Sequence, residues 1–255
     1  MSFHILIPGL WRLCLFPGKK YNNHMPQYFA DIKETEFFLM DAEAHHAAAV
    51  ARHKEGDQIR VFDGTGRQYM GRIDRIQKKF VRGTLLTPCR VRRTELELEL
   101  CFAPNSRTGL EDVLDKCTQL GVASFRPVMT ERSEYDVLKK WDGKNDRWNQ
   151  IMIAACKQCD TPFVPTILPP VKFTEALGQN VPSLIAYEAE ETHTLAWGLE
   201  QLGRPKRLRV YVGPAGGWTD EEVSLARAHQ VLPVTLGVNI LRAETACIAV
   251  AAKLL

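Results

Sequence analysis

The sequence predicts an α/β protein in which a small N-terminal β-barrel precedes a larger C-terminal domain. Three observations carry that expectation. Between Met25 and Val91 the apolar runs are short, strand-like and punctuated by glycine turns, as in a small barrel. Beyond a boundary near Pro88 to Thr94, strand-like and helix-like periodicities alternate, which argues for parallel strands joined by crossover helices. Two strand–glycine–helix units, LRVYVGPAGGWT from Leu208 and VTLGVNILRAETAC from Val234, close the chain.

At 255 residues, 45% hydrophobic and 25% charged, the chain has the composition of a globular protein with a sizeable core. No uninterrupted run of about 20 apolar residues suits a membrane span. The net charge of +3 resides in the first 24 residues, which hold Arg12, Lys19 and Lys20 and no acid. Global charge therefore gives no argument for nucleic acid. Locally, the stretch from Arg60 to Arg93 has ten Lys or Arg against two acids, Asp63 and Asp74, and suits either a phosphate-facing surface or a solvated strand face. Seven scattered cysteines fit reduced thiols and a cytoplasmic location. The one CxxC, Cys156 and Cys159, falls in a helical pattern and reads as packing. No second pair or histidine set at ligand spacing supports a metal.

Residues 1–24 do not match the rest of the chain, and lack the basic start and small-residue cleavage site of an export signal. They read as a poorly ordered extension, or as lying upstream of a biological start at Met25. QYFAD and EFFLM come next as aromatic-rich strands, then a short helix, AEAHHAAAVAR, that Asp41 can cap. His45 and His46 on that helix find no metal partners. The strands QIRVFD, YMGRID and KKFVRGTLL complete the barrel. In the second domain ELELEL places Leu96, Leu98 and Leu100 on one face. Leu110, Val113, Leu114, Cys117 and Leu120 form a helical stripe. FRPVM and SLIAY read as strands, Asp146 to Cys159 and Thr194 to Leu202 as helices. The last helix, Ala246 to Leu255, is apolar nearly all round, so it should be buried on several sides, against the sheet or a second subunit.

The two glycine units carry the chemistry. Gly213, Gly216 and Gly217 lack a Cβ and would let backbone pass close to a ligand; Gly237 repeats the device. Thr219 and Glu222 have the spacing of a capping box, which marks a helix start. Two such loops at neighbouring strand ends make a crevice for a small ligand. A dinucleotide fingerprint G-x-G-x-x-G is absent from the first strand turn, which disfavours a nicotinamide dehydrogenase.

GPAGGW after a strand, LGVNILRAETA before an apolar C-terminal helix, and the upstream DKCTQLGV, TERS and IMIAACKQC together resemble the ribosomal small subunit methyltransferase E family of the trefoil-knot (SPOUT) superfamily. The resemblance covers about Met25 to Leu255. It implies a PUA-like barrel over 25–91 that helps hold RNA and a knotted methyltransferase domain over 92–255 that works as a homodimer. It further implies transfer of a methyl group from S-adenosylmethionine to N3 of a uridine in the decoding region of 16S rRNA, within the small ribosomal subunit. By the same resemblance the cofactor residues are Gly213, Pro214, Gly216 and Gly217 in one loop, and Leu236, Gly237, Ile240, Leu241, Arg242 and Thr245 in another. Tyr187 and Glu188 fall on a third. Arg242 is placed to stabilise an oxyanion on uracil, and Glu244 to orient Arg242 or act as base. Arg52, Arg60, Arg67, Arg72 and Arg75 are the expected RNA contacts. The chain departs from the family at Ala215, Val238, Asn239, Ala243, Ala49, Gln119, Lys157, Asp160 and Thr161. Those departures leave room for a non-catalytic RNA-binding relative or for a different target nucleotide.

Overall fold

A computed structural model describes residues 25–141, 146–178 and 180–255. The reading of residues 1–24 lies outside that range. The first sheet contains β1 (Gln27–Phe29), β2 (Asp31–Lys33), β3 (Glu36–Met40), β4 (Gln58–Phe62), β5 (Gln68–Gln77) and β6 (Phe80–Pro88), in the order β1-β4-β5-β6-β3-β2. Its two edge strands, β1 and β2, are separated in sequence by Ala30 alone, so the sheet must curl until its edges nearly meet. Phe37 fills the interior because Gly71 and Gly83 leave room where a Cβ on either would collide with its ring. In RIDRIQ the two isoleucines stand three apart, which a regular strand cannot turn inward together. A bulge between Ile73 and Arg75 resolves this, burying Ile73 and turning Arg75 outward.

Between β3 and β4 lies α1 (Asp41–His45), which runs on as a π-helical turn, His46–Val50. Asp41 opens this helix, but its side chain does not cap it. Glu43 from the same turn accepts from the Phe29 amide at 3.3 Å and from Lys157 Nζ at 2.6 Å. His46 packs its ring against Tyr28, 5.5 Å between centroids. Among the described residues no group of three potential metal ligands assembles.

The second sheet is parallel throughout. It contains β7 (Glu97–Phe102), β8 (Ser124–Met129), the short β9 (Thr166–Ile167) and β10 (Val171–Lys172), β11 (Ser183–Ala186), β12 (Arg207–Val212) and β13 (Leu232–Val234). Strand order is β10-β8-β7-β12-β11-β13, with β9 also on β8. Among the described residues seven helices accompany it: α2 (Arg107–Leu120), α3 (Val137–Lys140), α4 (Asp146–Cys159), α5 (Phe173–Ala176), α6 (Leu195–Gln201), α7 (Asp220–Ala228) and α8 (Ala243–Leu254). Ser106, Thr194 and Thr219 accept at the N-termini of α2, α6 and α7, so local hydroxyl chemistry sets those starts. After β13 the chain turns back across the ends of β11 and β12 and enters α8, which packs on α2, β7 and β12. This return of the C-terminal helix onto β7, the first strand of the domain, belongs to its trefoil-knotted fold. Ala243, Ala246, Cys247, Val250 and Ala251 of α8 are buried, whereas Lys253 is exposed.

Both faces of the sheet are covered at its centre, so Glu99 on the polar side of ELELEL is buried, while Glu95 and Glu97 nearer the strand start are exposed. Glu99 and Arg209, each 1% exposed, pair at 2.9 Å across β7 and β12. Arg126 donates to the other Glu99 oxygen at 3.0 Å, and Arg209 also donates to Ala176 O. Burial alone would raise the Glu99 carboxyl; the bonds from Arg209 and Arg126 outweigh it and hold the group below the usual carboxylate range.

The barrel meets the second domain through a polar seam. Gln27, 1% exposed, donates to Cys156 O at 2.8 Å and accepts from Gln68. Lys157 pairs with Glu43, Gly66 N donates to Pro162 O, and Val164 N donates to Gly64 O. Cys156 and Cys159 are free thiols within this packing, and burial pushes Cys156 up to about 12.

Candidate functional site

Parallel strands expose a row of loops at their carboxyl ends. Here the loops after β11, β12 and β13 enclose a cavity of about 270 Å³, lined by residues 186–188, 212–218 and 235–241 and by Ala243 and Ala246 of α8. Leu236, Ile240, Leu241 and the two alanines give an apolar wall. Glu188 is the only charged side chain around it among the described residues.

The loop after β12 is held from four sides. The Gly217 amide closes a turn on Pro214 O at 3.0 Å, with Gly217 in the left-handed region at φ 72°. Trp218 Nε1 donates to Ala186 O at 2.9 Å, which ties this loop to the end of β11. Thr219 and Glu222 form the expected capping box. The other Glu222 oxygen accepts from the Glu131 amide at 2.9 Å. Arg132 Nη1 donates to both Gly216 O and Trp218 O at 3.1 Å. The TERS segment, 130–133, is thus a clasp on a loop more than 80 residues away.

The room left by the three glycines is taken by protein. A Cβ on Gly213 would meet the Trp218 indole at 2.9 Å, one on Gly216 would meet Arg132 Cβ at 3.2 Å, and one on Gly217 would collide with Glu188 Oε1. These glycines shape the cavity by letting its own walls pack. Gly237 differs: it sits at φ 138° with open space where a Cβ would go. Thr235 Oγ1 bonds both the amide and the carbonyl of Gly237, and Lys253 Nζ donates to Leu236 O at 2.6 Å.

Ten of the expected cofactor residues surround the cavity: Tyr187, Glu188, Gly213, Pro214, Gly216, Gly217, Leu236, Gly237, Ile240 and Leu241. Arg242 and Thr245 do not. Arg242 is the exposed N-cap of α8, in extended conformation, while Ala243 and Ala246, three residues apart, share the helix face turned to the cavity. Thr245 lies off that face and is exposed. Glu244 does not pair with Arg242; its carboxylate accepts from Asn105 Nδ2 at 3.1 Å. Sequence reasoning singles out neither Trp218 nor Arg132. The tryptophan of GPAGGW is a visible signal, whereas the arginine acts only once the fold brings the loop after β8 against the loop after β12.

The five barrel arginines divide. Arg60 lies in the seam, donating to Asp160 Oδ2 and Met25 O and ion-paired with Asp160, with 18% of its side chain exposed. Arg67 pairs with Asp63 and Arg72 with Asp74, though both stay half exposed. Arg52, at φ 57°, and Arg75 are exposed. Arg52 heads the loop that runs beside β5, where Gly56 N donates to Ile73 O and Glu55 accepts from the Ile76 amide.

A family model described as an RNA methyltransferase domain matches residues 92–255, and one described as an RNA methyltransferase PUA domain matches 39–86. The chain is 32% identical to the ribosomal RNA small subunit methyltransferase E of Synechocystis, over 84% of this chain and 71% of that protein. It is 27% identical to the protein of that name from Bacillus subtilis, over 87% and 93% respectively. Among solved structures it is similar to the Neisseria gonorrhoeae enzyme of that name bound to S-adenosyl methionine, with a TM-score of 0.79 and 27% identity over 90% of this chain and 96% of that one. A putative methyltransferase from Legionella pneumophila, in complex with the same cofactor, gives a TM-score of 0.77 at 27% identity, covering 90% and 95%.

Proposed function

Because the chain belongs to the ribosomal RNA small subunit methyltransferase E family of RNA methyltransferases, we propose that it methylates N3 of a uridine in the decoding region of 16S rRNA, using S-adenosylmethionine. The substrate is the RNA within the small ribosomal subunit, and the enzyme works in the cytoplasm as a homodimer through its C-terminal domain. One observation carries the reading: three loops at adjacent parallel strand ends enclose one cavity whose walls are backbone and small apolar side chains.

The residues present fit the cofactor. The cavity, about 270 Å³, lies near the lower end of small-molecule sites. Leu236, Ile240 and Leu241 offer a flat apolar wall for adenine, and the backbone of 213–218 offers amides and carbonyls fixed by Arg132, Trp218 and the capping box. When bound, S-adenosylmethionine supplies an electrophilic methyl group on a positively charged sulfur. The chain supplies position and an environment for charge. Arg242, exposed at the rim on the first turn of α8, stabilises negative charge on a uracil oxygen. Glu244, held by Asn105, takes the N3 proton on its carboxylate. The exposed arginines of the barrel, Arg52 and Arg75, contact phosphate. Replacing both by glutamate should weaken RNA binding and flatten the dependence of log Kd on log salt; an unchanged slope assigns that face to solvent.

The deciding experiment incubates the protein and isotope-labelled S-adenosylmethionine with small subunits lacking the modification, then digests the RNA. Labelled 3-methyluridine is the expected result. Label on another nucleoside moves the target. No label, with RNA bound and a matched active enzyme labelling the same subunits, establishes a non-catalytic RNA-binding relative.

A further inference from the structure

Glu188 is the one carboxylate at the cavity, and nothing in the fold uses it. Among the described residues its side chain has no ion pair and no hydrogen bond. Two cations that reach these loops are committed elsewhere, Arg132 to Gly216 O and Trp218 O, and Lys253 to Leu236 O. The loop that carries Glu188 is held instead by backbone: Tyr187 N donates to Val234 O, and Ala186 O accepts from Trp218. A seat is nonetheless built for it. Glu188 Oε1 occupies the place where any side chain at position 217 would begin, and Gly217 adopts φ 72° there. Glu188 is exposed, and the other side chains that line the cavity carry no charge, so its field there is little offset by protein.

We propose that Glu188 makes the cavity selective for charge, favouring the cationic methyl donor over the neutral sulfur product and so promoting product release. The proposal rests on the cavity being the S-adenosylmethionine site. Methyl transfer breaks the bond between methyl carbon and sulfur, leaving its electron pair on sulfur. The carbon bonds N3, and the N3 proton departs to a base. The sulfonium thereby becomes a thioether and the bound molecule loses one positive charge, while Glu188 keeps its negative charge throughout. Attraction that held the donor is absent for the product.

The test is calorimetric titration of the full chain, wild type and Glu188→Gln, with three ligands. These are S-adenosylmethionine, S-adenosylhomocysteine, and sinefungin, in which an ammonium on carbon replaces the sulfonium. For Glu188→Gln, Kd for the two cationic ligands should rise about tenfold and Kd for S-adenosylhomocysteine should stay within about twofold, as expected for one partly screened charge pair. Glu188→Ala should reproduce the pattern without a carboxamide. Equal weakening of all three ligands, or no change in any, overturns the proposal while leaving the cavity as the cofactor site. A wild-type chain that binds none of the three overturns both.

Discussion

At the scale of single residues, Glu99–Arg209 is the most deeply buried ion pair among the described residues. Removing one partner leaves an uncompensated charge in the sheet, so Glu99→Gln should cost about 3–5 kcal/mol of unfolding free energy, read from urea midpoints at constant slope. The pair also sets an acid limit. The folded carboxyl is held below its unfolded value near 4.3, so its contribution is complete above about pH 5 and is lost as pH falls through the folded value. The wild-type midpoint should therefore drop more steeply on acidification than that of Glu99→Gln, and parallel curves would count against this account. Local alternation identifies Leu98 and Leu100 as core. It leaves Glu99 on a polar face, because a period-two pattern cannot show that helices cover both faces, or that Arg209, over a hundred residues on, lies on the adjacent strand.

Among the elements, the loop after β12 shows which glycine matters. Gly216 has only Arg132 Cβ to displace, by a few tenths of an ångström, and its backbone is unstrained. Gly217 combines a left-handed φ with the Glu188 carboxylate in the way. Gly217→Ala should thus lose about 1–2 kcal/mol of stability and bind S-adenosylmethionine at least about tenfold more weakly. Gly216→Ala should stay within about threefold. Calorimetry on the two variants separates them, and equal losses would return the loop to a simple clearance role. Helix starts at Thr194 and Thr219 are legible because caps are local. The cavity face of α8 is not, because the helix begins at Ala243, three residues before the apolar run suggests, and that start sets Ala243 and Ala246 on the face that lines the cavity.

Across the whole molecule, the barrel and the methyltransferase domain are joined by bonds of defined partner. Glu43→Lys and Lys157→Glu should each loosen the seam. The double exchange should recover about 1 kcal/mol relative to the sum of the two, the usual size of a partly exposed pair, measured as a double-mutant cycle. Recovery stays incomplete because Glu43 also serves the Phe29 amide. Barrel and alternating domain are both visible in the periodicity. The knot is not, since threading belongs to the path of the entire chain; it enters through resemblance. The partner of Arg60 is hidden for a related reason: a basic residue in a basic stretch carries no mark that a carboxylate one hundred residues later will pair with it.

The cavity is made largely of peptide groups and of spaces left by small residues, which has a consequence for descent. Amides and carbonyls are present whatever side chain they carry. Drift in sequence can therefore pass through this part of the protein with little effect on the shape offered to a ligand, provided a few turns keep their glycine. Two chains that agree at about one position in four still superpose over nine-tenths of this one. Ancestry here is recorded in the path of the main chain.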